Sequence, residues 1–160
     1  NKNLGNRFIH GYSIDGFSYF SKSLKLNGSL SYVKGDENET YGPMPSISPI
    51  FGTISGEYTK DKIKISALYK FSGDKSPKDY SLGGEDGLEE TPVITENSNG
   101  IIYAGTPKWS DFSIYTNYDI SKDVKIRIAL TNIFDNHYRT FASGISAPGR
   151  SFQIGLYLKL

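Results

Sequence analysis

Apolar and polar residues alternate one for one along most of this chain, and this period-two pattern limits the folds open to it. In residues 124–131 one alternate set is Val124, Ile126, Ile128 and Leu130, and the other is Lys125, Arg127, Ala129 and Thr131. Side chains at every second position share a face in a β-strand. Seven such runs occur, at residues 8–20, 24–33, 50–58, 63–71, 112–120, 124–131 and 152–160. The pattern predicts an all-β protein.

The run lengths and the connections favour an antiparallel up-and-down transmembrane β-barrel. Residues 24–33 and 112–120 are typical runs; a tilted strand that crosses a bilayer needs about 9–11 residues, whereas soluble strands average about 5–6. Short connections at 21–23, 59–62 and 121–123 alternate with long ones at 34–49, 72–110 and 132–150. In a meander, all short turns then lie at one rim and all long loops at the other, as in outer-membrane barrels.

The distribution of charge and of aromatic residues supports the same prediction. The basic residues of the strands fall on polar faces: Lys25, Lys64, Lys125, Arg127 and Lys159. A lysine or arginine on the lipid face near the midplane costs about 2–4 kcal/mol, so a bilayer enforces this segregation. Tyrosines fall on apolar faces, several near strand ends, as in interfacial girdles: Tyr32, Tyr58, Tyr69 and Tyr118. Both features favour a membrane barrel over a soluble sheet.

The number of strands raises the question of closure. An open sheet in lipid leaves two edges of unpaired backbone groups, and bacterial single-chain barrels have even strand numbers. Residues 100–105 are a spare strand-like segment, but adding them breaks the alternation of short and long connections. We therefore expect the last strands of a larger barrel. The chain also begins with Asn1, which suggests a fragment whose front end is missing.

The C-terminal thirty residues carry a specific motif. Its elements are Asn132, Ile133, Phe134, Asp135 and Tyr138, followed by Pro148, Gly149 and Arg150. This segment closely resembles the C-terminal end of TonB-dependent outer-membrane receptors, and residues 45–58 and 6–20 are similar to earlier strands of that family. The resemblance implies that residues 1–160 are strands 16–22 of a barrel of about 22 strands, without the plug domain and the earlier strands.

The resemblance also supplies expectations about assembly and location. The terminal pattern is similar to the signal read by the outer-membrane assembly machinery, and its members here are Gln153, Gly155, Leu158 and Leu160. Leu160 departs from the phenylalanine or tryptophan usual in the family. The implied location is the bacterial outer membrane, with lipid and lipopolysaccharide as neighbours.

As a member of this family, the chain would belong to a receptor that takes up a scarce solute such as an iron-siderophore, haem or cobalamin. Its energy would come from the TonB complex through the absent plug. This chain would contribute wall and loops, and the long loop 72–110 supplies our candidate contacts to the small-molecule substrate: Tyr80, Tyr103 and Trp109. Candidate lumen-facing charges are Lys64, Lys125, Arg127 and Lys159.

Little in the sequence points to catalysis, to a cofactor or to nucleic acid. The charge is nearly balanced, with 18 Lys plus Arg against 17 Asp plus Glu, and there is no cysteine. The two histidines, His10 and His137, belong to no Ser-His-Asp or HExxH pattern. The acidic stretches at 35–39 and 83–90 are interpreted as solvated loop charge rather than a cation site. We expect no enzyme, no cofactor, no metal site and no nucleic-acid partner.

Two other classes remain open at this point. A small eight-stranded outer-membrane barrel with a structural or adhesive role suits a chain of 160 residues. A soluble β-sandwich acting as a binding module would explain the alternation by burying its apolar faces against each other.

Overall fold

The computed structural model describes residues 6–38, 42–98 and 100–159, and in these ranges the chain is almost entirely β-structure and loop. The strands are β1 (Ile9–Tyr19), β2 (Leu24–Gly35), β3 (Glu37–Asn38), β4 (Gly42–Pro43), β5 (Phe51–Lys60), β6 (Ile63–Ser72), β7 (Val93–Asn97), β8 (Gly100–Tyr103), β9 (Trp109–Asp119), β10 (Val124–Thr131) and β11 (Ser151–Leu158). Single 3-10 turns lie at Pro77–Asp79 and Leu88–Glu90. Within these ranges no helix is long and apolar enough to cross a membrane.

Seven long strands form one antiparallel sheet in the order β1-β2-β5-β6-β9-β10-β11. These are the seven strands predicted from the alternation, and each pairs with the next along the wall. The spare segment at 100–105 is not an eighth wall strand, because β8 pairs with β7 in a separate two-stranded sheet. The remaining pair, β3 with β4, also lies within a long connection. Short and long connections alternate as predicted.

The short turns are closed by local hydrogen bonds. In the first turn the Phe20 N–H donates to the Leu24 carbonyl at 2.9 Å, and in the last the Ile120 N–H donates to the Val124 carbonyl at 2.9 Å. The hydroxyl of Ser21 accepts backbone N–H groups from residues 23 and 24. In the middle turn Asp61 has a positive φ of 51°, as the tightest hairpin loops require. The short-turn rim is thus fixed by sequence-local contacts.

The register gives the sheet two chemically different faces. On the apolar face Ile128 lies opposite Ile154, and Ile14 opposite Leu30; Tyr32, Tyr58, Tyr69 and Tyr118 share this face. On the polar face Lys125 lies opposite Asp119, and Lys25 opposite Glu57. In β9 six residues separate Phe112 from Tyr118, which is about 20 Å along a strand. Two aromatic rows therefore flank an apolar band of nearly bilayer height.

The apolar face is largely exposed, and no second sheet of the described chain packs against it. Ile14 and Ile154 are each 68% exposed and Phe152 is 66% exposed. Among the described residues the buried apolar side chains are only Tyr80 and Ala129. A β-sandwich would interlock this face with a second sheet, so the sandwich alternative is not supported. The buried groups lie instead mostly among the long loops and the strand ends that carry them.

Close approach at one glycine on the apolar face generates a prediction. A Cβ at Gly52 would overlap the Ser29 carbonyl oxygen and lie 2.8 Å from the Phe71 ring, whereas nothing lies within 4 Å of the same position at Gly16. We expect Gly52→Ala to lower the urea midpoint of the folded full-length protein. Gly16→Ala is the matched control and should leave the midpoint unchanged or raise it, because glycine in a strand costs about 0.5–1 kcal/mol relative to alanine. Equal effects of the two substitutions would contradict this packing.

Candidate functional site

The long loops meet in a buried cluster that we call the loop junction, formed by Lys75, Tyr80, Asp86, Thr106 and Phe141. Its centre is an ion pair in which the Lys75 Nζ lies 3.0 Å from the Asp86 Oδ2. The side chains of Lys75 and Asp86 are only 5% and 2% exposed. A charge this deeply buried is retained only when it is paired and hydrogen-bonded, so the surrounding contacts decide whether the cluster holds.

The loop junction ties all three long loops together. From the first loop, the Ile47 carbonyl accepts a hydrogen bond from the Lys75 Nζ at 2.6 Å, and the Ser46 N–H donates to the Asp86 Oδ1 at 2.7 Å. From the third loop, the Phe141 ring lies 4.1 Å from the Lys75 Nζ in a cation–π contact. Lys75 and Asp86 themselves belong to the second loop. One buried ion pair thus holds three separate segments.

Tyr80 completes the loop junction by contacting both Lys75 and Phe141. Its ring lies 5.0 Å from the Lys75 Nζ and packs edge-on against Phe141 at 6.0 Å. Its hydroxyl is hydrogen-bonded to the Thr106 Oγ1 at 2.6 Å, and burial raises the pKa of this phenol. Thr106 is fixed in turn by paired backbone hydrogen bonds with Lys75. The preceding Gly105 has a φ of 75°, and a Cβ there would overlap the Lys75 carbonyl oxygen, so a glycine is required.

A second buried cluster lies where β9 and β10 meet the third loop. We call it the strand-end cluster: Asp111, Ser113, Asn132, Asn136 and Tyr138. The Ser113 hydroxyl donates to Asp111 at 2.8 Å and accepts the Asn132 N–H at 3.2 Å. The Asn132 side chain donates to the carbonyls of Asn136 and Pro148 and accepts the Asn136 N–H at 3.0 Å. These bonds satisfy the backbone of the loop as it leaves the sheet.

Tyr138 anchors the third loop to the first residues of β9. Its hydroxyl donates to the Asp111 Oδ2 at 3.0 Å, and its ring stacks on Trp109 with the centroids 4.3 Å apart. Burial, together with the hydrogen bond and negative charge of Asp111, raises the pKa of the Tyr138 phenol to about 12. The phenol therefore stays neutral and keeps donating at physiological pH.

The residues of the C-terminal motif stabilise the two ends of the third loop. Asn132 and Asp135 both adopt positive φ values, 46° and 56°. The Asp135 carboxylate accepts the Arg150 N–H at 2.7 Å and lies 3.9 Å from its guanidinium group. The motif thus joins the start of the third loop to its end, directly before β11 begins. The residues that carry the family resemblance build the loop, and one of them, Tyr138, also lines the two cavities beside it.

Two cavities open beside these clusters. One of about 390 Å³ lies between the second and third loops and is lined by residues that include Glu90, Thr106, Lys108, His137 and Arg139. Arg139 bridges it, donating to the Glu90 carbonyl at 2.6 Å. The other, of about 680 Å³, lies at the ends of β6 and β9 and shares Lys108, His137 and Tyr138 with the first. Both volumes suit a small molecule.

The structure does not bring the three predicted substrate-contacting rings into one group. Tyr80 is 3% exposed and packs in the loop junction, so a solute does not reach its ring in this arrangement. Tyr103 ends β8, opposite Val93. Trp109 begins β9 and lines the larger cavity, where its indole Nε1 is buried without a hydrogen-bond partner among the described residues. Solute contact by Tyr103 and Trp109 stays a prediction.

The predicted lumen-facing charges lie on the polar face, and the side chains of three of them have partners in the wall. Lys64 forms an ion pair with Glu57 at 2.7 Å, and Lys125 with Asp119 at 3.3 Å. The Arg127 Nε donates to the Asn117 Oδ1 at 3.1 Å. Lys159 follows β11, and its backbone N–H donates to the Asp123 carbonyl at 2.9 Å. These contacts are those of a charged lining; that it faces a lumen stays a prediction.

The predicted assembly signal lies in and after β11. Gln153 and Gly155 fall on the polar face and Leu158 on the apolar face, while Leu160 lies outside the described residues. The ring of Tyr157 folds over Gly155, 3.3 Å from the position of an added Cβ. The Arg127 guanidinium lies 5.5 Å from the same ring. The role of this pattern in assembly stays a prediction.

One interpretation of the acidic stretches needs correction. Asp86, in the stretch 83–90, is not solvated loop charge but the 2% exposed partner of Lys75. In the other stretch Asp36 accepts the Phe8 N–H at 2.8 Å, and Glu39 lies outside the described residues. Within the described ranges no three His, Asp or Glu residues are grouped as a metal site requires. The sequence carried no signal for the loop junction, because its five residues span positions 75 to 141.

Comparisons with known proteins bear on the fold. No protein-family model and no curated protein sequence matches the chain. Among solved structures, it is similar to the copper transporter OprC, with a TM-score of 0.71 and 18% identity over 95% of this chain and 23% of that one. It is also similar to the ferric enterobactin receptor PfeA of Pseudomonas aeruginosa (TM-score 0.65, 17% identity, 94% and 22% covered). A third is the FrpB iron transporter of Neisseria meningitidis (0.66, 12%, 95% and 23%).

These three solved proteins are TonB-dependent receptors. The chain has the fold of a segment of a TonB-dependent receptor barrel. This confirms the predicted all-β, antiparallel barrel architecture. The segment spans less than a quarter of the length of the receptors it matches.

Loss of the buried carboxylate should loosen all three loops of the barrel segment. Asp86→Ala leaves the Lys75 ammonium buried without a counter-charge, which typically costs about 3–5 kcal/mol. We expect faster hydrogen exchange in peptides from 44–50, 72–110 and 132–150 of the full-length protein. The control is Asp123→Ala, which breaks a 3.9 Å pair with the 90% exposed Lys122 and should leave the loops unchanged. Faster exchange confined to residues 83–90 would refute the coupling of the loops.

The strand-end cluster predicts a loss of stability at high pH. The folded-state pKa of the Tyr138 phenol, about 12, lies above the ordinary value of 10.0. The contribution of this phenol to the free energy of unfolding is therefore fully present below about pH 10. It is lost as the pH rises from there through 12, since the unfolded state releases its proton first. We expect the urea midpoint of the wild type to fall more steeply over this range than that of Tyr138→Phe. Parallel curves for the two proteins would contradict the assignment.

Proposed function

We propose that this chain is the C-terminal wall segment of an outer-membrane active-transport receptor, and that the receptor takes up a scarce solute. The observation that carries the proposal is the exposed apolar face, bounded by two aromatic rows, of a sheet whose long loops all lie at one rim. A large apolar face with this pattern is typical of a surface that meets lipid. The polar face, with its paired charges, would line the interior of the barrel.

The loops supply the argument for a receptor rather than a passive pore. A buried ion pair, a cation–π contact and two cavities organise three long loops that would face the cell exterior. Loops held in a fixed arrangement on a rigid barrel are where recognition is usually located. We assign contact with the solute to the cavity-lining part of the second and third loops, including Trp109, rather than to Tyr80.

The proposed solute is a metal ion or metal chelate, such as an iron-siderophore, haem or cobalamin. Support comes from the solved proteins with the same fold, which are described as a copper transporter, a ferric enterobactin receptor and an iron transporter. The other proposed partners are the TonB complex, acting through a plug domain outside this chain, the outer-membrane assembly machinery and outer-membrane lipid. The chain would act in transport and not as an enzyme.

The lipid-facing assignment is tested by two neighbouring substitutions in β1 of the full-length protein, away from the predicted assembly signal. Ile14→Lys places a charge on the apolar face and should cost about 2–4 kcal/mol, so the heat-modifiable band in the outer-membrane fraction should weaken or disappear. Ser13→Lys places the same charge on the polar face and should leave that band intact. Equal tolerance of both substitutions, or a water-soluble wild type, would refute the membrane assignment.

Transport is tested in the same strains with radiolabelled ferric chelates. Uptake should depend on the full-length protein and should stop when the proton gradient is dissipated. Binding without energy-dependent uptake would refute the active-transport part of the proposal while leaving the barrel assignment in place.

A further inference from the structure

Basic side chains on the apolar face are confined to its ends. In the seven wall strands the register places only His10, Lys34 and Lys60 on that face among the described basic residues. Lys60 ends β5 at the short-turn rim. His10 and Lys34 lie at the opposite rim, where β2 leads into the first long loop, and they face each other directly across β1 and β2. Two basic groups thus share one position on an otherwise apolar surface.

No acceptor within the described part of the chain occupies these two side chains. Both residues are exposed, and neither side chain forms a hydrogen bond or an ion pair with the described part of the chain. The nearest carboxylate in sequence, that of Asp36, is engaged by the Phe8 N–H at 2.8 Å and forms no ion pair with Lys34. Glu37 also forms no ion pair with it. Other basic groups of the wall, such as Lys64 and Lys125, have carboxylate partners on the polar face.

A stacked tyrosine pair indicates the depth in a membrane at which the two basic groups would lie. Tyr12 and Tyr32 lie opposite each other two residues further into the sheet, with ring centroids 5.7 Å apart and planes inclined by 15°. Tyrosine rings on a lipid-facing surface mark the boundary between hydrocarbon and head groups. Two residues along a strand correspond to about 7 Å, which places His10 and Lys34 at the level of the head groups.

We propose that His10 and Lys34 form a binding site for a phosphate group of the glycolipid that occupies the outer leaflet of the membrane. The lysine ammonium and the imidazole N–H would donate to phosphate oxygens, and the Tyr12–Tyr32 pair would contact the adjoining acyl chains. The long-loop rim is the cell-exterior side of such barrels, so the lipid is that of the outer leaflet. The inference rests on the proposed function, because it requires the apolar face to meet a bilayer.

The test uses the full-length protein, extracted from outer membranes, stripped of bound lipid and kept heat-modifiable in mild detergent. The probes are lipid A carrying its phosphates and lipid A from which they have been removed. The double variant His10→Ala/Lys34→Ala should bind the phosphorylated probe at least about fivefold more weakly than wild type, the effect expected for one basic residue at an anionic surface. Lys34→Arg should bind as wild type, and so should Lys60→Ala, the matched control from the other rim.

Two results would overturn the proposal: unchanged affinity of the double variant, or equal affinity of the wild type for the two probes. If the double variant loses heat modifiability, His10→Gln/Lys34→Gln takes its place, since it keeps side-chain size and polarity. Absence of the wild-type protein from the outer membrane would refute both the proposed function and this site. A folded outer-membrane barrel that binds lipid A equally well with and without its phosphates would refute this site alone.

Discussion

Continuous antiparallel pairing of the backbone is the constraint on which the rest of the structure depends. Each of the seven wall strands is in register with its neighbour over six or more residues. In a hydrocarbon environment this pairing is the only way for an extended chain to satisfy its N–H and C=O groups. Once the register is set, the face on which each side chain lies is determined. The segregation of charge from apolar surface is therefore a consequence of the pairing.

The long-loop rim is stabilised differently, by buried polar groups rather than by apolar packing. Lys75 and Asp86 in the loop junction, and Asn132 and Ser113 in the strand-end cluster, are almost completely inaccessible. Such networks are favourable only when nearly every member is satisfied, which makes their geometry specific. The rim consequently has defined cavities between its loops, whereas the apolar face of the wall is largely exposed.

Much of the fold could be predicted from sequence, because a strand whose two faces meet different environments alternates apolar and polar residues. The alternation in residues 124–131, for example, specified the faces on which Ile128 and Arg127 lie. The loops could not be predicted in this way. Tyr80 is an aromatic residue in a long loop, the kind of residue expected to contact a ligand, yet it is buried against Lys75 and Phe141. Asp86 lies in an acidic stretch that resembles solvated loop, yet it is a buried counter-ion.

The sequence by itself determined the number of wall strands, their faces and the sorting of loops to one rim, because these follow from local periodicity and connection length. The motif from Asn132 to Arg150 also indicated the receptor-barrel fold before any contact was known. Only the tertiary structure decided which loop residues meet, since Ile47, Lys75 and Phe141 are distant in sequence and no local rule links them. The same holds for His10 and Lys34. Their pairing on one face depends on the register of β1 with β2, which is a property of the sheet.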